Sequence, residues 1–149
     1  MRRLASAVAL LLLLVAPLWA QAQAAAKKET VEELVGALSE AYASKSLGSV
    51  AAARPRQGRV RIVVEHSISG RFESRSFKTL EAGERWLKGR EREDGPARQV
   101  MPLERCRRGL CTYDFGGGIL HNNLYLQKVA YGYRGGLPYV KTIYLLDGD

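Results

Sequence analysis

Residues 124–146 read Leu124-Tyr125-Leu126-Gln127-Lys128-Val129-Ala130-Tyr131-Gly132-Tyr133-Arg134-Gly135-Gly136-Leu137-Pro138-Tyr139-Val140-Lys141-Thr142-Ile143-Tyr144-Leu145-Leu146, two strand-like runs around a glycine pair. A strand sends successive side chains to opposite faces, and a two-residue turn of this type joins antiparallel strands. With Gly135-Gly136 as the turn, Arg134 pairs with Leu137, Tyr131 with Val140, Val129 with Thr142, Gln127 with Tyr144 and Tyr125 with Leu146. The face shared by the pairs from Tyr131 to Leu146 carries no charge and is expected to meet the core. The opposite face collects Leu124, Leu126, Lys128, Ala130, Tyr139, Lys141, Ile143 and Leu145. Such an apolar sheet face rarely stays bare, so it predicts a homodimer through Leu124, Leu126, Ile143 and Leu145.

The same alternation extends upstream. Residues 99–107, 110–115, 121–133 and 138–146 read as four strands of an antiparallel meander, separated by Gly and turn residues at hairpin distances. Within it lies Cys106-Arg107-Arg108-Gly109-Leu110-Cys111. If Arg108-Gly109 forms the turn, Cys106 stands opposite Cys111 as a non-hydrogen-bonded pair with Cα atoms ~4.5 Å apart, within disulfide reach. The chain has two cysteines, so the pairing is unambiguous. The bond closes a very short loop, which limits its contribution to about 2 kcal/mol and makes it a clip on a hairpin. A redox switch lacks the Cys-x-x-Cys arrangement that would support it.

Ahead of the meander, Thr30-Val31-Glu32-Glu33 fits a capping box. Val31, Leu34, Val35, Leu38, Ala41 and Tyr42 then recur at helical spacing as far as about Ser44. Residues 46–53 make a short further helical turn, stopped by Arg54-Pro55. Residues 59–68 alternate as a half-buried strand, Ser69-Gly70 turns it, and residues 71–77 return. Thr79 caps a third helix with Leu80, Gly83, Trp86, Leu87 and Arg90 on its inner side, and Asp94-Gly95-Pro96 ends that section. The fold class is α+β: N-terminal helices, a hairpin, a third helix and a four-strand antiparallel meander forming a curved sheet.

The first residues give an address. Arg2-Arg3, an apolar run from Leu4 to Ala16 and the Ala-x-Ala steps before Ala25 are the parts of a cleaved export signal, so residues 1–24 read as signal peptide and 25–149 as one domain. No cysteine follows the apolar run, which leaves no attachment point for lipid; the product is expected free in the periplasm or secreted. Arg2-Arg3 also suits an ordinary positive head, without a twin-arginine route. Losing the leader lowers the formal charge from +8 to about +6. Arginines cluster in residues 54–61, 85–92 and 105–108, which makes an anionic envelope component a candidate partner. Export argues against nucleic acid.

The order of elements, with Tyr42-Ala43-Ser44-Lys45-Ser46-Leu47 closing the first helix and Lys128-Val129-Ala130-Tyr131 to Val140-Lys141-Thr142-Ile143 closing the sheet, resembles the nuclear-transport-factor-2-like superfamily. The resemblance covers nearly all of the mature chain and is one of pattern. It implies a cone-shaped pocket between helices and sheet, used in that superfamily by isomerases, cyclases, dehydratases and non-enzymatic binding domains. Where isomerase-like members carry an aspartate, this chain has Arg54-Pro55-Arg56-Gln57-Gly58, which argues against isomerase-type proton transfer. Gln127-Lys128-Val129-Ala130-Tyr131-Gly132 is similar to the Gln-x-Val-x-Gly loop of exported cystatin-like inhibitors, but is one residue too long and belongs in a strand.

Function is thus expected to be non-catalytic binding or assembly, with a small apolar ligand in a pocket lined by Tyr42, Trp86, Tyr113, Tyr125, Gln127, Tyr131 and Tyr144. The alternative is a small pocket enzyme, a lyase or isomerase on an apolar substrate. Its catalytic candidates are thin: His66 on the apolar side of its strand, and Asp114 with His121 as an acid–base pair if both face the cavity. Two histidines so placed make no metal site, Gly116-Gly117-Gly118 lacks the setting of a phosphate loop, and nothing implies a cofactor.

Overall fold

The computed structural model describes residues 28–91, 97–119 and 121–148. The leader, its cleavage site and the Asp94-Gly95-Pro96 turn lie outside the described residues.

Helix α1, Val31–Ala43, begins where the sequence places it. The Thr30 hydroxyl accepts from the Glu33 amide while the Glu33 carboxylate accepts from the Thr30 amide, which satisfies two of the donors a helix start leaves open. Its apolar stripe, Val31 to Tyr42, is buried. Helix α2, Gly48–Ala52, is a short turn, and α3, Leu80–Arg90, is capped by the Thr79 hydroxyl on the Ala82 amide. The strands are β1 Val60–His66, β2 Phe72–Phe77, β3 Ala97–Val100, β4 Leu103–Arg107, β5 Leu110–Tyr113, β6 Asn123–Arg134 and β7 Leu137–Asp147.

The strands form one seven-stranded mixed sheet in the order β2-β1-β7-β6-β5-β4, with β3 beside β6. β4 to β7 are antiparallel neighbours, whereas β1 lies parallel to β7 and β3 parallel to β6. The strand expected over residues 99–107 is two strands: β3 and β4 part at Met101-Pro102, where proline has no amide to give to a ladder. The loop before β1 continues the sheet with a side chain. Gln57 donates through Nε2 to the Val140 carbonyl and accepts through Oε1 from the Val140 amide, each at 2.9 Å.

The β6–β7 register departs from a constant count. Tyr131 pairs with Val140 as expected, but Ala130 pairs with Thr142, Lys128 with Tyr144 and Leu126 with Leu145. Lys141 and then Gln127 are therefore unpaired bulge residues, and between them the faces exchange. The inward face becomes Leu124, Leu126, Val129, Tyr131, Val140, Ile143 and Leu145, packed in one cluster with Leu34, Leu38, Tyr42, Ile62 and Val64. Leu126, Ile143 and Leu145 have no exposed surface and Leu124 keeps 6%. The dimer surface expected through these four residues is thus part of the core, because the two bulges turn them toward the helices. Lys128 and Lys141 do lie on the outer face, where Tyr144 and Thr142 join Lys128.

The cysteine hairpin matches its expectation. Cys106 pairs with Cys111 and Arg107 with Leu110, the disulfide is formed, and the Cα atoms are 4.0 Å apart. Arg108 and Gly109 both have positive φ, the conformation a two-residue turn of this hand requires.

Candidate functional site

Among the described residues, helices cover one face of the sheet and none covers the other. On β1 the inward residues are Val60, Ile62 and Val64, so Arg61, Val63 and Glu65 point outward. Register then places Thr142 and Tyr144 of β7, Lys128 and Ala130 of β6, Leu110 and Thr112 of β5, and Arg105 and Arg107 of β4 on that same outer face. A groove of about 420 Å³ runs across it, lined by Arg61, Val63, Glu65, Phe72, Ser74, Gln127, Lys128, Tyr144 and Leu145. A second, of about 250 Å³, is lined by Arg105, Arg107, Arg108, Leu110 and Thr112.

The first groove is amphipathic. Arg61 donates to the Ser74 hydroxyl at 2.9 Å, Gln127 donates to the Glu65 carboxylate at 3.3 Å, and the Lys128 ammonium sits 5.6 Å from the centre of the Tyr144 ring. Phe72 adds an apolar wall that is 69% exposed. Across the whole face the basic groups include Arg61, Arg105, Arg107, Arg108, Lys128, Arg134 and Lys141, and the acids include Glu65 and Glu104. Arg105 and Arg107 are alternate residues about 7 Å apart, within a Debye length of about 8 Å, and act together, whereas Lys128 stands two strands, roughly 10 Å, from β4 and from β1, so the charge is spread along the face as a row of basic groups.

The seven residues expected to line one pocket are not brought together. Tyr42, Tyr113 and Tyr131 are in the core under the helices, Tyr144 and Gln127 line the outer groove, and Trp86 packs on Phe77 at a centroid distance of 5.4 Å with Arg90 over its ring. Tyr125 faces outward and is buried beneath Phe115, whose ring meets it edge-on at 5.6 Å. Two bulges cause the split: that at Lys141 turns Tyr144 away from the side of Val140, and that at Gln127 turns Tyr125 away from the side of Tyr131. The core hydroxyls have partners: Tyr42 donates to the Leu124 carbonyl at 2.8 Å, and Tyr113 shares a 2.7 Å hydrogen bond with Ser39. Burial raises the Tyr42 pKa far above its ordinary range, and raises that of Tyr113 to about 12 against the lowering effect of Ser39.

The catalytic candidates separate as well. Asp114 is exposed and accepts from the Gly116 amide at 2.9 Å, a local turn contact, and His121 is exposed. His66 is on the inner side of β1, with Nδ1 3.4 Å from an Asp147 carboxylate oxygen. Asp147 lines a cavity of about 300 Å³ with Leu87, Arg90, Glu91 and Leu124.

Two residues outside the candidates read from the sequence are Glu84 and Arg98. Both are buried, and Arg98 binds Glu84 and Glu91 at 2.6 Å each and the Tyr42 carbonyl at 3.0 Å. Burial works against the charge on Arg98, but hydrogen bonds to Glu84 and Glu91 outweigh it and raise the pKa. The open basic face was legible only as the arginine cluster at residues 105–108; its continuation through Arg61 and Lys128 depends on long-range strand order. No protein family, curated protein or solved structure matches this chain.

Proposed function

We propose that this chain is an exported, non-catalytic binding module that docks an anionic component of the cell envelope on the open face of its sheet. The observation that carries the reading is the face itself: basic groups outnumber acidic ones on it, no described helix covers it, and two grooves cross it. Arg105, Arg107 and Arg108 make no ion pair with a carboxylate among the described residues, so their charge is available to a partner. Export is supported by the leader and by the disulfide, which persists in an oxidising compartment. The order helix, short helix, hairpin, helix and antiparallel ladder supports the likeness to the nuclear-transport-factor-2-like superfamily.

The test is binding of the mature chain to vesicles of anionic phospholipid and to a soluble phosphate-bearing envelope polymer at low and raised salt. Binding at low salt that weakens as salt rises, and that is lost in an Arg105→Ser, Arg107→Ser, Arg108→Ser variant, supports the proposal. No binding at low salt, or equal binding by the variant, overturns it.

The pocket-enzyme reading has one observation on its side, the Asp147–His66 contact beside a cavity walled by Leu87 and Leu124 together with Arg90 and Glu91, since a carboxylate that orients an imidazole suits a general base. Apolar carbonyl compounds that shift the Leu87 and Leu124 methyl resonances and are turned over would favour it; unchanged spectra would remove it.

A further inference from the structure

The strands that end the main path of the sheet, β4 and β2, are built differently. At one end, β4 carries Arg105 and Arg107 and a register shift between Leu103 and Arg105. An antiparallel copy of β4 centred on Arg105 or Cys106 would set arginine against arginine, which guards that edge. At the other, β2 reads Phe72-Glu73-Ser74-Arg75-Ser76-Phe77, with no proline and no break in its pairing to β1. An antiparallel copy centred on Ser74 pairs Phe72 with Ser76 and sets Glu73 opposite Arg75, twice.

The backbone has the matching phase. His66 donates to the Arg71 carbonyl, so residues 71, 73, 75 and 77 turn their backbone groups toward β1. Those of Phe72, Ser74 and Ser76 point along the outer edge. A second copy centred on Ser74 then finds hydrogen-bonding residues opposite hydrogen-bonding residues, while Glu73 and Arg75 fall at the closer, non-hydrogen-bonded positions where cross-strand charge pairs are strongest.

We infer that two copies of this chain pair through β2, antiparallel about Ser74, into one continuous sheet. The two-fold axis of such a pair is perpendicular to the sheet, so both sets of helices fall on one side and both basic faces on the other. Glu73, which already pairs with Arg90 of its own chain, is then flanked by two arginines, and Phe72, 69% exposed in the single chain, gains cover at the seam. Arg75 lies over Phe77, with its guanidinium 5.8 Å from the ring centre and within reach of the edge.

The test is sedimentation equilibrium of the mature chain and three variants, with circular dichroism to confirm that each is folded. Arg75→Glu sets acid against acid and Glu73→Arg sets base against base, so each alone is expected to be monomeric. Mixed in equal amounts, they are expected to form a heterodimer, because every cross-strand pair becomes Glu opposite Arg. Ser74→Pro removes an outward amide and the hydroxyl that accepts from Arg61 at the surface, takes no hydrogen bond from the β1–β2 ladder, and is expected to stay folded and monomeric. The inference is overturned if the unaltered chain is monomeric at ~1 mM, if the single variants dimerise as it does, or if their mixture stays monomeric.

Discussion

Arg98 Nη2 lies 2.6 Å from Glu84 Oε1, and both side chains are nearly without exposed surface. The pair joins β3 to α3. Glu84 also accepts from the Leu47 amide at 3.2 Å, which holds the entry to α2, and Arg98 lies over the Tyr42 ring of α1 at 5.1 Å. One ion pair therefore fastens the three described helices to the same face of the sheet.

Breaking that pair from one side is expected to be costly. Arg98→Met leaves Glu84 buried without its counter-ion, and a loss of about 3–5 kcal/mol is expected, read as a fall in urea midpoint. Arg98→Met with Glu84→Leu removes both charges and should recover much of the loss. A single variant as stable as the unaltered chain would show that water reaches the pair.

Acid should loosen the same cluster. Burial acts to raise the Glu91 pKa, but hydrogen bonds from Lys45 and Arg98 outweigh it and leave it below the usual carboxylate range. The folded state then binds this proton less readily than the unfolded chain. The stability so gained is full above the ordinary value of about 4.3 and is lost as pH falls through the lower folded value. A Glu91→Gln variant should show a shallower fall in stability across that window than the unaltered chain; identical slopes would remove Glu91 from the account.

How much of this was readable depends on the range of the forces involved. The capping box at Thr30, the Thr79 cap, the α1 stripe and the Cys106–Cys111 register are set by residues a few positions apart, and the structure places them as the sequence does; on α3, Leu80, Gly83 and Leu87 are buried as expected, but Glu84 joins them while Trp86 and Arg90 are only half-buried. The faces of the last hairpin were read half correctly. Counting from Gly135-Gly136 holds to Tyr131, then fails at Lys141 and returns past Gln127, because a bulge residue leaves no local composition signal. The buried Arg98 was illegible for a similar reason. An arginine after a Gly-Pro turn reads as surface until the fold brings Glu84 and Glu91 to it. The basic face likewise exists only once β1 has crossed to lie beside β7.

At high pH the buried phenols take over. Burial holds the Tyr113 proton until about pH 12, whereas an unfolded tyrosine releases it near 10. The folded state binds this proton more tightly, so its contribution is complete below about pH 10 and falls as pH rises through the folded value. Tyr113→Phe removes that dependence, and its stability curve should be flatter over that interval. The variant also leaves the Ser39 hydroxyl with its bond to the Val35 carbonyl alone, so a small loss at neutral pH, about 1 kcal/mol, is expected.

The disulfide links stability to the proposed function. It closes a loop five residues in separation, and Cys106→Ser with Cys111→Ser is expected to lower stability by about 2 kcal/mol in the chain-entropy account. The larger consequence should be local. Arg105, Arg107 and Arg108 stand on the strand and turn that the bond clips, and without it they spend more time splayed from the sheet face. Affinity for an anionic surface should therefore fall in the Cys106→Ser, Cys111→Ser variant at temperatures where circular dichroism shows it still folded, and fall most at low salt, where those charges act with least screening. Equal affinity with and without the bond would mean that the hairpin holds its arginines in place by strand pairing alone.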